Sequence, residues 1–183
     1  LGFAAYYLSI GNYEFLWYIA VLVFFIGLMT ATLKTSKLPV WLIWLFSFWG
    51  LMHMAGGGLK VGGEVLYRFV LIPFIQHGEL TILKFDQLVH AYGFAIATIL
   101  VHFLLSQKVK GYISPFWLLV ISVLAGMGLG VVNEIVEFTA VLAVQNTGVG
   151  GYFNTMLDLV FNTLGAIFAA VLISTIPRLK RKS

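Results

Sequence analysis

Six side chains able to carry charge or bind a metal stand at helical spacings in and beside the most apolar parts of this sequence. Asp86 and His90 are four apart, Glu134 and Glu137 are three apart, Asp158 lies midway between Asn154 and Asn162, and His53 precedes a run of glycines. Residues three or four apart share one face of a helix, so each pair or stripe defines a polar face. Two imidazoles with four carboxylates make a donor set suited to a divalent ion such as Zn, Mn or Fe, and helical bundles build such sites from inward-facing side chains. The spacings differ from the Glu-x-x-His pairs of di-iron bundles, so they do not select one metal. In a catalytic version the ion polarises an oxygen or activates water, with His90 and Glu137 among its ligands and Glu134 as a base. The chain has no cysteine, which excludes thiolate sites, disulfides and Cys nucleophiles.

The elements that must position these groups are set by composition. The 183 residues are 61% hydrophobic and 10% charged, with a mean hydropathy of +0.99, which excludes an ordinary soluble domain. A membrane-crossing helix needs about 20 mostly apolar residues. Five stretches meet or approach that: 13–33, 39–55, 86–105, 115–143 and 154–176. Segment 64–76 is too short to cross and contains Pro73, so it reads as a re-entrant or interfacial segment, a lid over the site. The expected fold is therefore all-α, a polytopic helical bundle forming a single transmembrane domain over 1–183.

Lys34, Lys37, Lys108, Lys110 and the basic C-terminal tail fall at one end of such a bundle, while Lys60, Arg68 and Lys84 are spread over the long loop at the other. Positive residues are retained on the cytoplasmic side, so the expected localisation is a bacterial-type inner membrane with the N-terminus outside and the C-terminus cytoplasmic. The same clustering explains the net charge of +4 as a topology signal and argues against nucleic-acid binding. With this topology His53, Asp86, His90, Glu134, Glu137 and Asp158 all fall in the outer half of the bilayer. Asp86, Glu134, Glu137 and Asp158 bring four carboxyl groups into the spans, which contain no Lys or Arg. Unpaired carboxylates in low dielectric cost several kcal/mol each, so protons, a loop cation (Lys60 or Arg68) or a metal ion must compensate them. His77 and His102 lie away from that depth and read as structural.

Gly126 and Gly130 form a small-xxx-small pair for close helix packing. Gly56, Gly57 and Gly58 are expected to end the second span and let loop backbone approach His53, and the glycines of 146–151 to do likewise before the last span. Neither string has the spacing of a phosphate-binding loop.

The order HMAGG (53–57), FDQLVH (85–90), NEIVEF (133–138) and GYFNTMLDLVFNTLGA (151–166) resembles the YjdF-like family of bacterial inner-membrane proteins. The last two motifs also resemble VanZ-like (teicoplanin-resistance) proteins. The likeness spans roughly 49 to 175 and places His53, Asp86, His90, Glu134, Glu137 and Asp158 on matching positions, with Asn154 where the first family has an acid. It implies a shared fold and site rather than a reaction. The reading these observations favour is a metal-binding site near the outer face that acts on a lipid-borne or amphiphilic substrate. The alternatives are an accessory subunit packed against other membrane subunits, and a proton-coupled carrier.

Overall fold

A computed structural model of the chain describes residues 2–77, 80–109, 111–144, 150–176 and 179. In chain order it contains α1 (Gly2–Ser9), α2 (Tyr13–Ser36), α3 (Val40–Gly58), β1 (Lys60–Val61), β2 (Glu64–Val65), a 3-10 turn (Leu66–Arg68), β3 (Val70–His77), β4 (Leu80–Lys84), α4 (Phe85–Lys108), α5 (Pro115–Ala143) and α6 (Tyr152–Thr175). Among the described residues five helices, α2 to α6, are long and apolar enough to cross a membrane. No expected span boundary is off by more than three residues, because each is punctuated locally. Asn12 caps α2 by accepting from the Phe15 amide at 3.2 Å, and Ser114 does the same for α5 from Trp117 at 3.4 Å, with Pro115 at the first helical position.

The helix α4 is central: it packs on α6, α5 and α3, while α2 stays peripheral with most of its surface free for lipid. Small residues set the close approaches. A Cβ added at Gly165 of α6 would lie 2.1 Å from the Ala91 carbonyl oxygen of α4, and one at Gly126 of α5 would lie 1.9 Å from Thr98 Oγ1. In lipid, where no hydrophobic effect drives helices together, such contacts supply the packing.

Segment 64–76 does not cross, as expected, but its form is strand rather than helix. β3 pairs with β4 as an antiparallel hairpin whose register shifts between Val70 and Ile75, around Pro73, and Gly62 and Gly63 turn the smaller β1–β2 ribbon with positive φ of 64° and 92°. The short helix α1 is a further element absent from the sequence reading.

The glycine run after His53 also behaves differently from expectation, because α3 continues through Gly58. Each glycine seats an aromatic ring: Tyr67 lies over Gly56, Phe15 over Gly57 and Tyr7 over Gly58, all too close for a Cβ. Tyr7 also donates its hydroxyl to the Met54 carbonyl. Of the second glycine string, 146–149 lie outside the described residues.

Candidate metal centre

The junction between β4 and α4 fixes the first polar face. Leu83 has a left-handed φ of 73°, a conformation that costs an L-residue about 1 kcal/mol or more. The fully buried Gln87 side chain holds it there. Its Oε1 accepts from the Leu83 amide at 2.6 Å and the Lys84 amide at 3.1 Å, and its Nε2 donates to the Thr81 carbonyl at 3.0 Å. The hairpin is thereby locked to the first turn of α4, which carries Asp86 and, one turn on, His90.

Around His90 the faces of α4, α5 and α6 meet as the spacings require. Asp86 Oδ1 is 3.6 Å from His90 Nε2, Glu137 Oε1 is 3.7 Å from the same nitrogen, and Glu134 Oε1 is 3.5 Å from Nδ1. Asp158 joins Asp86 and His90 in one group, and Glu134 and Glu137 join His90 in another, each with ligand atoms within 4.8 Å of one another. His90, Glu134 and Asp158 are buried.

Amides orient these groups. Asn162 accepts at Oδ1 from His90 Nδ1 at 3.0 Å and donates from Nδ2 to Glu134 Oε1 at 3.2 Å. This pairing is self-consistent when Nδ1 carries the proton, and it leaves the Nε2 lone pair facing Asp86 and Glu137. Asn154 donates to Asp158 Oδ2 at 2.6 Å and to Asp86 Oδ2 at 3.3 Å, while its own oxygen accepts from Lys84 Nζ at 2.5 Å. Asn133 donates to Glu137 at 2.8 Å. One oxygen remains: Asp158 Oδ1 is buried and has no hydrogen-bond partner among the described residues.

Five of the six sequence-derived candidates thus come together, and His53 stands apart from them. Its Nδ1 shares a 2.5 Å hydrogen bond with the Tyr67 hydroxyl, and its ring stacks on Trp49 at a centroid distance of 5.6 Å with Tyr18 edge-on. The physical reason is that α3 offers its neighbours an aromatic face here: Trp49, Tyr18 and Tyr67 surround the His53 ring, and no carboxylate pairs with it among the described residues. Burial, then the negative charge of Asp86 and Glu137, pushes the Tyr67 phenol well above its ordinary pKa, so Tyr67 stays a hydrogen-bond donor. His102 is structural as read: buried, with Nδ1 3.3 Å from Ser122 Oγ. His77 is the last residue of β3. Arg68 does not reach in, since it pairs with Glu64 at 3.1 Å on the exposed surface.

Sequence reasoning missed Lys84, Gln87, Tyr67 and a fifth intramembrane acid. Glu14, in the first turn of α2, is buried and accepts from the Tyr18 hydroxyl at 3.3 Å. Its position just inside the first expected span was the available signal. A cavity of about 1060 Å³ opens at this end of the bundle; Glu14, Asp86, Glu137 and Asn154 are on its wall, with His53 and Tyr67 beside them.

Five long apolar helices around a buried imidazole and carboxylate cluster define a multi-pass membrane protein with a polar site at one end of its bundle. The chain belongs to the family described as "Predicted membrane protein (DUF2238)", which it matches over residues 1–178. The match includes the first long helix, which the motif resemblance left out. No curated protein and no solved structure matches the chain.

Proposed function

We propose that this protein holds one divalent metal ion at the α4–α5–α6 cluster and presents it to an amphiphilic substrate entering from the outer face of a bacterial inner membrane. The orphaned Asp158 Oδ1 carries the proposal. A buried carboxylate oxygen without a donor costs at least about 1–3 kcal/mol, and a cation bound beside it removes that cost. The spacings support the same reading. Separations of 3.6 and 3.7 Å from His90 Nε2 to Asp86 and Glu137 are too long for hydrogen bonds. They are close to the ligand-to-ligand distance of roughly 3.4 Å that follows from tetrahedral bonds of about 2.1 Å.

The ligands are His90 through Nε2, Asp86, Glu137 and Asp158. Imidazole with carboxylates suits Zn, Mn or Fe. Asn162 fixes the His90 tautomer from behind, and Glu134, on the Nδ1 side, completes the outer shell rather than the ligand set. When bound, the ion supplies a Lewis acid at the cavity wall. Glu137 lies on that wall, whereas Asn162 holds Glu134 behind the ring.

Lys34, Lys37 and Lys108 fall at the other end, which the positive-inside rule assigns to the cytoplasm. The cluster end then faces outward with both ends of the chain placed accordingly, N-terminus out and C-terminus in. Likeness of the Glu134–Glu137 and Asp158–Asn162 motifs to YjdF-like and VanZ-like proteins accords with a shared site. Metal analysis of detergent-purified protein tests the proposal. About one ion per chain is expected, and Asp158→Asn should lose it; no stoichiometric ion in the wild type after anaerobic preparation would refute the centre.

A further inference from the structure

The loop joining α3 to α4 contains Lys60, Arg68 and Lys84, and these are all the Lys and Arg residues between Lys37 and Lys108. Each of the three lines the same cavity, above the acids of its floor. Cations on the side that positive residues usually avoid need a local reason. Neutralising the floor is not that reason for two of them. Arg68 is turned to Glu64 on the surface, and the Lys60 side chain makes no hydrogen bond or ion pair among the described residues. Lys84 contacts the amide oxygen of Asn154, not a carboxylate.

Beside this rim the β3 hairpin exposes an apolar edge. Phe69, Ile72 and Phe74 are 43%, 56% and 76% exposed, and α6 begins with exposed Tyr152 and Phe153, the latter also on the cavity wall. Apolar side chains beside lysine and arginine at the end of a spanning bundle are suited to the headgroup boundary of a bilayer. The cavity therefore joins three elements: a carboxylate floor of Glu14, Asp86 and Glu137, the three cations, and the adjoining apolar flank.

We infer that the Lys60, Arg68 and Lys84 rim binds a phosphate group, the headgroup of an anionic amphiphile whose tails lie along the β3 hairpin. The inference rests on the proposed metal centre, because a cation at the floor makes the base of the cavity attractive to an anion instead of repellent. Phosphate fits the rim chemistry: Arg68 offers a planar donor fork, and Lys60 and Lys84 offer point charges. The three come from β1, the 3-10 turn and the end of β4, and all line the one cavity.

The test is calorimetric titration of the detergent-solubilised full chain with dihexanoyl phosphatidic acid, dihexanoylglycerol and inorganic phosphate, with metal content measured on every sample. Phosphatidic acid should bind; K60Q/R68Q should weaken it about tenfold, the size expected of two exposed charge contacts, and K60R, which leaves both charges and the Arg68 fork in place, should keep it. Wild-type binding should also weaken as salt rises from about 50 to about 500 mM, which keeps the inference open to refutation even if the Gln pair does not fold. Inorganic phosphate binding as tightly, with the same dependence on the rim, assigns the site to free phosphate and sinks the lipid tail. Equal binding of neutral dihexanoylglycerol, or no effect of either rim charge or salt, overturns the inference. Rim-dependent binding in protein without metal refutes the metal centre alone; rim-independent binding with metal in place refutes the rim alone.

Discussion

His90 and His102 lie on the same face-bearing helix, α4, about 18 Å apart along its axis at 1.5 Å per residue. Both are buried, and both use Nδ1 for a hydrogen bond to a neutral side chain, Asn162 for one and Ser122 for the other. What differs is the charge around the ring. His90 is faced by carboxylates from α4 and α5, with Asp158 of α6 close by, whereas His102 packs where α5 offers a serine already donating to the Leu118 carbonyl at 2.7 Å. An imidazole on an apolar helix acquires a role from what the adjacent helices bring to its level, and α5 supplies both environments.

Breaking that contrast gives the largest effect. His90→Ala should abolish stoichiometric metal in purified protein, and His102→Ala should leave it intact at a stability cost of about 2–4 kcal/mol from the cavity it opens. Elemental analysis of the two variants side by side decides the matter, and equal metal content in both would erase the distinction between the two levels.

Next in size is the contact that brings α6 to α4. Gly165→Val would push a side chain against the Ala91 backbone oxygen, 2.1 Å from an added Cβ, while nothing lies within 4 Å of a Cβ at Gly128. Overpacking a backbone contact costs about 3 kcal/mol. Gly165→Val should therefore lower thermal stability sharply and release metal, and Gly128→Val should do neither. A fluorescence-detected melt in detergent measures both, and indistinguishable melts would remove α6 from its assigned place.

The spans, their order and the shared depth of the polar residues were legible because length and hydropathy are one-dimensional properties of the chain. Asp86 with His90 and Glu134 with Glu137 were legible because helical spacing dictates which residues share a face. Three features were not. The β3 hairpin has two β-prone runs on either side of 78–79, yet its apolar character reads equally well as a short helix. The Gly56–Gly58 run suggests a break, but glycines also persist in helices where rings must lie flat on backbone, and only the approach of Tyr67 and Phe15 distinguishes the two. His53 lies outside the carboxylate groups and inside an aromatic box: sequence gives height along a span, but a side chain's neighbours depend on partners from α2 and the 3-10 turn.

A smaller effect sharpens the site from within. Asn162 touches no proposed substrate, but it holds the His90 tautomer and Glu134 at 3.0 and 3.2 Å. Losing such an outer-shell partner typically weakens a metal 10- to 100-fold. Asn162→Ala should therefore retain metal as isolated but surrender it to chelator at a concentration about 10- to 100-fold lower than the wild type does. Asn162→Gln, which keeps both an acceptor for Nδ1 and a donor for Glu134, should lie closer to wild type; the two behaving identically would mean that Asn162 only fills space.

The smallest effect belongs to the histidine that looked equivalent and is not. His53→Phe keeps a flat ring against Trp49 and Tyr18 and removes both ring nitrogens, one of them bound by Tyr67. The Tyr67 hydroxyl still has the backbone carbonyl of residue 53 at 3.0 Å to donate to, so its hydrogen is not stranded, and the loss should be near 1 kcal/mol of stability. Metal affinity should stay within about twofold of wild type, because no ligand and no outer-shell amide has moved. Metal lost together with His53 would place that imidazole back among the ligands, with Tyr67 as a gate over it, and the separation between the aromatic box and the carboxylate cluster would have to be abandoned.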